Sequence, residues 1–110
     1  MRPGVPYRIY GRIRGLSPEA ARELLALAPF DAARAEAGGI EIEHEGRYVD
    51  VEEFLARAVA LLPEGGDGDV DVIDEEAWTI TRYALRRGDL QVVSHGLDDV
   101  LDHTKGEGNF

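Results

Sequence analysis

At 110 residues, 44% hydrophobic and 31% charged, the chain has the size and apolar content of one globular domain with a single core. It has no cysteine, which excludes a disulfide framework, a thiol nucleophile and a thiolate metal site, and suits the reducing cytoplasm. The net charge of -10 is laid out unevenly: residues 1–34 carry six Arg against Glu19, Glu23 and Asp31, whereas residues 35–110 carry six basic and nineteen acidic residues. Phosphates would meet repulsion over most of such a surface, so direct nucleic-acid binding is disfavoured. No apolar run approaches the ~20 residues of a membrane span and the start lacks a signal-type apolar segment, so no membrane association is expected.

In chain order, Tyr7 to Arg14 alternates, with Tyr7, Ile9 and Ile13 on one face and Arg8, Tyr10, Arg12 and Arg14 on the other, which predicts a half-buried strand. Ser17, Pro18 and Glu19 supply an N-cap, a first-turn proline and a carboxylate at the positive helix end, so a helix is expected from Pro18 to about Ala28. Its apolar stripe draws on Ala20, Ala21, Leu24, Leu25, Leu27 and Ala28. Asp31 to Ala37 is Ala-rich and ambiguous, and Gly38-Gly39 breaks the chain. Alternation returns at Ile40 and Ile42 against Glu41 and Glu43, and a turn at Glu45-Gly46 would let Arg47-Tyr48-Val49 return as the second arm of a hairpin.

Asp50, with Glu53 three residues on, reads as the cap of a second helix whose buried face is Val51, Phe54, Leu55, Ala58, Val59, Leu61 and Leu62. Pro63 and Gly65-Gly66 end it. The remainder reads as a meander: a strand over Val70 to Asp74, a β-rich run from Ala77 to Arg86, a turn at Arg87-Gly88-Asp89 and a strand from Leu90 to His95. Leu97, Val100 and Leu101 suit one or two last helical turns. The expectation is one α+β domain over residues 1–104, followed by a frayed tail at 105–110. Two helices should pack on one face of a mostly antiparallel sheet. The element order resembles the ferredoxin-like split βαβ plan, extended by a C-terminal meander, a plan that hosts many unrelated functions.

Three constellations carry possible chemistry. The segment Glu64 to Glu76 holds seven carboxylates and no base. Asp67, Asp69 and Asp71 match the first ligands of a D-x-D-x-D calcium loop, but Val72 and Trp78 occupy the positions that need Gly and a bidentate Glu. The plainer reading is a wet strand face with Val70 and Val72 turned inward. At the C-terminal end, Asp99 and His103 would share a helix face beside Asp98 and Asp102, with His95 arriving from the preceding strand. Such a set could hold zinc, iron or manganese, although acids near a helix N-terminus and a His near its C-terminus need no metal to explain them. His44, between Glu43 and Glu45, is expected at an exposed hairpin tip, where the flanking carboxylates would favour its charged form.

Arg8, Arg12 and Arg14 around Tyr10 form the one basic and aromatic surface. If the strand of Glu41 and Glu43, or that of Asp71, lies alongside, these arginines pair across the sheet, each such pair contributing ~0.2–1 kcal/mol. No catalytic residue and no resident cofactor is assigned. The function expected is non-catalytic binding of a basic protein through Asp67, Asp69, Asp71, Asp74, Glu75 and Glu76, in the manner of an immunity or inhibitor protein. The alternatives are a divalent-metal site or metal-dependent enzyme at His95, Asp99 and His103, and a structural homo-oligomer, such as a homodimer, formed through sheet edges.

Overall fold

Strict alternation makes Tyr7–Arg14 a strand with two unlike faces, and both faces find partners on either side. The computed structural model describes residues 7–46 and 48–96. Its elements are β1 (Tyr7–Arg14), α1 (Pro18–Leu27), β2 (Ala32–Glu36), β3 (Gly39–Gly46), α2 (Glu52–Leu61), β4 (Asp67–Asp74), β5 (Thr79–Arg86) and β6 (Asp89–Gly96). They form an α+β structure in which the strands make one open six-stranded sheet in the order β2-β3-β1-β4-β5-β6. Every neighbouring pair is antiparallel.

The register places Ile9 and Ile13 of β1 beside His44 and Ile40 of β3 and beside Val72 and Gly68 of β4. This face carries the core. Ile9, Ile13, Ile40, Ile42, Val70 and Leu85 are buried from the sheet, with Ala20, Ala21 and Leu24 from α1 and Phe54, Leu55 and Ala58 from α2. Helix α1 packs on α2, β2 and β3, while α2 reaches β5 and β6. Phe30, after α1, meets Phe54 edge to face at 5.0 Å. On the outer side of the helices Arg57 of α2 donates a hydrogen bond to Glu23 of α1.

Ser17 caps α1 as its sequence predicts, its hydroxyl accepting from the Ala20 N–H at 3.1 Å. The helix ends at Leu27, whose side chain faces out rather than joining the apolar stripe. For α2 the cap position is Val51, and the Asp50 carboxylate accepts from the Glu52 N–H at 3.0 Å from one residue earlier.

Several boundaries differ from expectation. The Ala-rich segment is strand β2, and the hairpin turn is at Ala37-Gly38, so β3 returns from β2 and Glu45-Gly46 is strand rather than turn. No hairpin arm follows at Tyr48 and Val49. Gly38 has φ +79°, the left-handed conformation that such a tight turn requires and glycine adopts without steric cost. β4 begins three residues earlier than expected, at Asp67, and Ala77 and Trp78 belong to the β4–β5 turn. In that turn Trp78 takes φ +58°. The expected last helical turns and the tail at 105–110 lie outside the described residues.

A close approach explains Gly39. A Cβ there would lie 1.9 Å from the Ile13 carbonyl oxygen, whereas one at Gly38 meets nothing within 4 Å. Gly39→Ala should therefore lower stability by more than about 2 kcal/mol. Gly38→Ala should cost only the left-handed backbone term, about 1 kcal/mol. Urea unfolding midpoints, read at unchanged slope, test the difference.

Candidate functional site

The face of the sheet away from the helices is a charge pattern set by strand order. β3 contributes Glu41, Glu43 and Glu45, β1 contributes Arg8, Tyr10, Arg12 and Arg14, β4 contributes Asp67, Asp69 and Asp71, and β5 contributes Arg82 and Arg86. Acidic and basic strands alternate across four neighbours. Across these four strands like charges therefore meet along a strand, at the wider same-face spacing, while opposite charges meet across strands.

Arg14 grips Asp67 with two hydrogen bonds, Nε to Oδ1 at 2.9 Å and Nη2 to Oδ2 at 3.2 Å, and reaches Asp69 at 3.0 Å. Arg12 and Arg34 donate to the two oxygens of Glu41 at 3.0 and 2.8 Å. Arg82 stands 3.7 Å from Asp71. The pairing of the basic strand across the sheet is thus the observed arrangement. The Arg14 hydrogen bonds hold the Asp67 carboxyl below its ordinary pKa. Burial pushes the Asp71 carboxyl up, with Asp69 adding to the rise and Arg82 opposing it.

One row breaks the pattern. Reading across the sheet, Arg12 lies between Glu41 and Asp69, and Arg14 lies beside Asp67, but Tyr10 lies between Glu43 and Asp71. On its other side Glu43 faces Ala32. The two carboxylates flank an aromatic side chain where the neighbouring rows have a guanidinium. The Tyr10 hydroxyl leans along the strand and donates to Glu45 at 3.3 Å. Beside it, over the backbone of Gly11, runs a groove of about 340 Å³ lined by Tyr10, Arg12, Glu41, Glu43, Asp69 and Asp71. Four carboxylates and one arginine line it, and Arg34, Arg14 and Arg82 reach Glu41, Asp69 and Asp71 from outside the groove. A hollow of about 480 Å³ between α1 and β2 is lined mainly by Leu16, Ala21, Leu25 and Ala35, and offers few polar groups to orient a ligand.

The acidic stretch read from the sequence does not stay together. Asp67, Asp69 and Asp71 project from the open face, whereas Asp74 accepts from the Glu76 and Ala77 N–H groups at 3.0 Å each and shapes the β4–β5 turn. Glu75, mostly buried, pairs with Arg8 at 3.1 Å, and Glu76 is exposed in the turn. His95 is on the open face of β6, exposed and opposite Ile80. Asp99 and His103, the other proposed metal ligands, lie outside the described residues, as do Asp98 and Asp102. Among the described residues no group of three His, Asp or Glu side chains could hold a metal ion.

His44 is not an exposed turn residue. It shares the core face with Ile40 and Ile42, is 5% exposed, and its Nδ1 accepts from the Asp31 N–H at 3.1 Å, with the Phe30 ring beside it. It ties the segment after α1 to the centre of β3.

No protein-family model matches the chain, and no curated protein or solved structure gives a significant match. The site is therefore read from its own chemistry.

Since Arg14 holds the folded-state pKa of Asp67 below its unfolded value, the pair's contribution is present above the unfolded pKa and fades as pH falls through the folded one. Arg14→Gln should lower stability at neutral pH by up to ~1 kcal/mol, as for an exposed pair, and by less in strong acid. Denaturant titrations of both proteins at the two pH values read this directly.

Proposed function

We propose that the protein is a non-catalytic interaction module that binds a basic protein partner on the open sheet face. A lysine or arginine of the partner would lie over Tyr10 between Glu43 and Asp71. The observation that carries this reading is that Tyr10, and not a guanidinium, stands between Glu43 and Asp71, the row's one arginine, Arg82, lying on the far side of Asp71 at 3.7 Å. A guest guanidinium completes the alternation that the neighbouring rows make internally, gains two carboxylates, and stacks on an aromatic face.

The state of Asp71 supports it. A carboxyl whose folded pKa lies above its unfolded value favours the protonated form in the native state, so ionising it at neutral pH costs folding stability. An incoming cation offsets that cost. The surrounding pairs are exposed, so each contributes little and can exchange with a partner's charges. The net charge of -10 adds long-range steering. An immunity or inhibitor-like role, covering the cationic groove of its target, is the concrete form of this proposal. The absence of cysteine is consistent with a cytoplasmic setting. Among the described residues no helix is long and apolar enough to cross a membrane.

For the fold, we infer a ferredoxin-like core of β1 to β4 with α1 and α2, extended by the β5–β6 hairpin. In support, α1 connects β1 to β2 and α2 connects β3 to β4, and the core strands run in the order β2-β3-β1-β4.

An oligoarginine peptide is a sufficient probe, followed by NMR at physiological ionic strength. The largest shifts should fall on Tyr10, Glu43 and Asp71, and Glu43→Gln or Asp71→Asn should each weaken binding about tenfold. Asp71→Asn should not lower stability at neutral pH, and Tyr10→Arg, which fills the row internally, should abolish binding in a folded protein. Shifts spread evenly over all acidic residues, with Tyr10→Arg binding as tightly as wild type, would sink the proposal. With a natural partner in hand, charge reversal at Asp67, Asp69 and Asp71 should slow association.

A further inference from the structure

The two edges of the sheet are built differently. β2 has five residues and carries Arg34 and Glu36. Charges on a short strand are the usual protection against pairing with another chain. β6 has eight residues, and its interior, Leu90-Gln91-Val92-Val93-Ser94-His95, contains no lysine, arginine, carboxylate or proline. Val92 and Val93 at its centre are 53% and 50% exposed. Beyond β5, the order of strands leaves β6 with no neighbour among the described strands.

We propose that β6 pairs antiparallel with β6 of a second copy of this chain, about a two-fold axis centred on Val92. The register follows from parity. A two-fold axis normal to the sheet keeps the helix-covered faces on the same side, so residues directly opposite must share a face. Even-numbered β6 residues lie with the helix face, where Val92 stands opposite Tyr83, and odd-numbered residues lie with the open face. The axis must then pass through a residue, and Val92 and Val93, at the middle of β6, are the two that keep the longest overlap.

Centred on Val92, the pairing sets Val92 against its own copy, Leu90 against Ser94, Gln91 against Val93, and Asp89 against His95, the last pair occurring twice. A carboxylate then faces an imidazole at both ends of the junction. Centred on Val93, His95 faces Gln91, and Asp89 projects past Gly96 with no β6 residue opposite. Charge complementarity selects the first register. The junction is a single strand pair, smaller than the interfaces of permanent dimers, so association is weak and concentration-dependent.

Sedimentation equilibrium on the full chain, from low micromolar to millimolar concentration, should show the mass rising from one chain towards two. Val92→Lys places two ammonium groups opposite each other at an exposed position. It should abolish the rise while leaving far-UV circular dichroism and thermal midpoint unchanged. Because the chain has no cysteine of its own, Val92→Cys and Val93→Cys each carry one thiol. Under mild oxidation Val92→Cys should cross-link faster, since its copies lie directly opposite, within the Cα separation a disulfide accepts. A wild-type mass that stays at one chain to millimolar concentration overturns the proposal, as does a Val92→Lys protein that dimerises like wild type. Faster cross-linking of Val93→Cys overturns the register.

Discussion

Strand β1 must satisfy two neighbours on each of two faces, and that constraint organises the molecule. On the covered face Ile9 and Ile13 are flanked by Ile40 and His44 of β3 and by Val72 and Gly68 of β4. On the open face each of three arginines meets a carboxylate on at least one side: Arg8 lies opposite Glu45 of β3, Arg12 between Glu41 of β3 and Asp69 of β4, and Arg14 opposite Asp67 of β4. A one-residue slip of either neighbour would turn its carboxylates into the core and its aliphatics to water. The apolar term provides most of the stability, and the ion pairs, each of a few tenths of a kcal/mol, discriminate between registers and neighbours.

The same division explains what could be read from the sequence. Alternation revealed β1, apolar stripes revealed α1 and α2, with the Ser17 cap marking the start of α1, and β-rich composition revealed the C-terminal strands. β2 was ambiguous because alanine lacks the bulk that marks a strand. It is held by its hydrogen-bonded pairing with β3, and only Ala33 and Ala35 turn towards the helices. Glu45-Gly46 imitated a turn, and placing one there cut β3 short. Had the alternation of Ile40 and Ile42 been carried on by two residues, His44 would have fallen on the core face, so that signal was present and outweighed by two flanking glutamates.

The candidate site was legible only in part. Asp67, Asp69 and Asp71 were evident as an acidic strand face, and the arginines of β1 as their possible partners. What no single strand could reveal is the gap at Tyr10, because it exists only once β3 and β4 lie on either side with a fixed register. Asp74 and Glu75 were grouped with the acidic face by proximity in sequence. The turn instead uses Asp74 as a backbone cap, and Arg8 takes Glu75.

The two proposed surfaces are compatible. A two-fold axis normal to the sheet leaves both open faces on the same side, so the dimer inferred at β6 would present two Tyr10 grooves in one direction. β1 is three strand spacings from β6. Across the junction the grooves would therefore lie seven spacings apart, roughly 34 Å at ~4.8 Å per strand. A partner with basic side chains at that separation would engage both, the second contact being intramolecular once the first has formed. A weak junction between copies and weak, exchangeable charge contacts within each would then reinforce one another. Binding to two grooves favours the dimer by mass action, and the dimer in turn raises the effective concentration of the second groove.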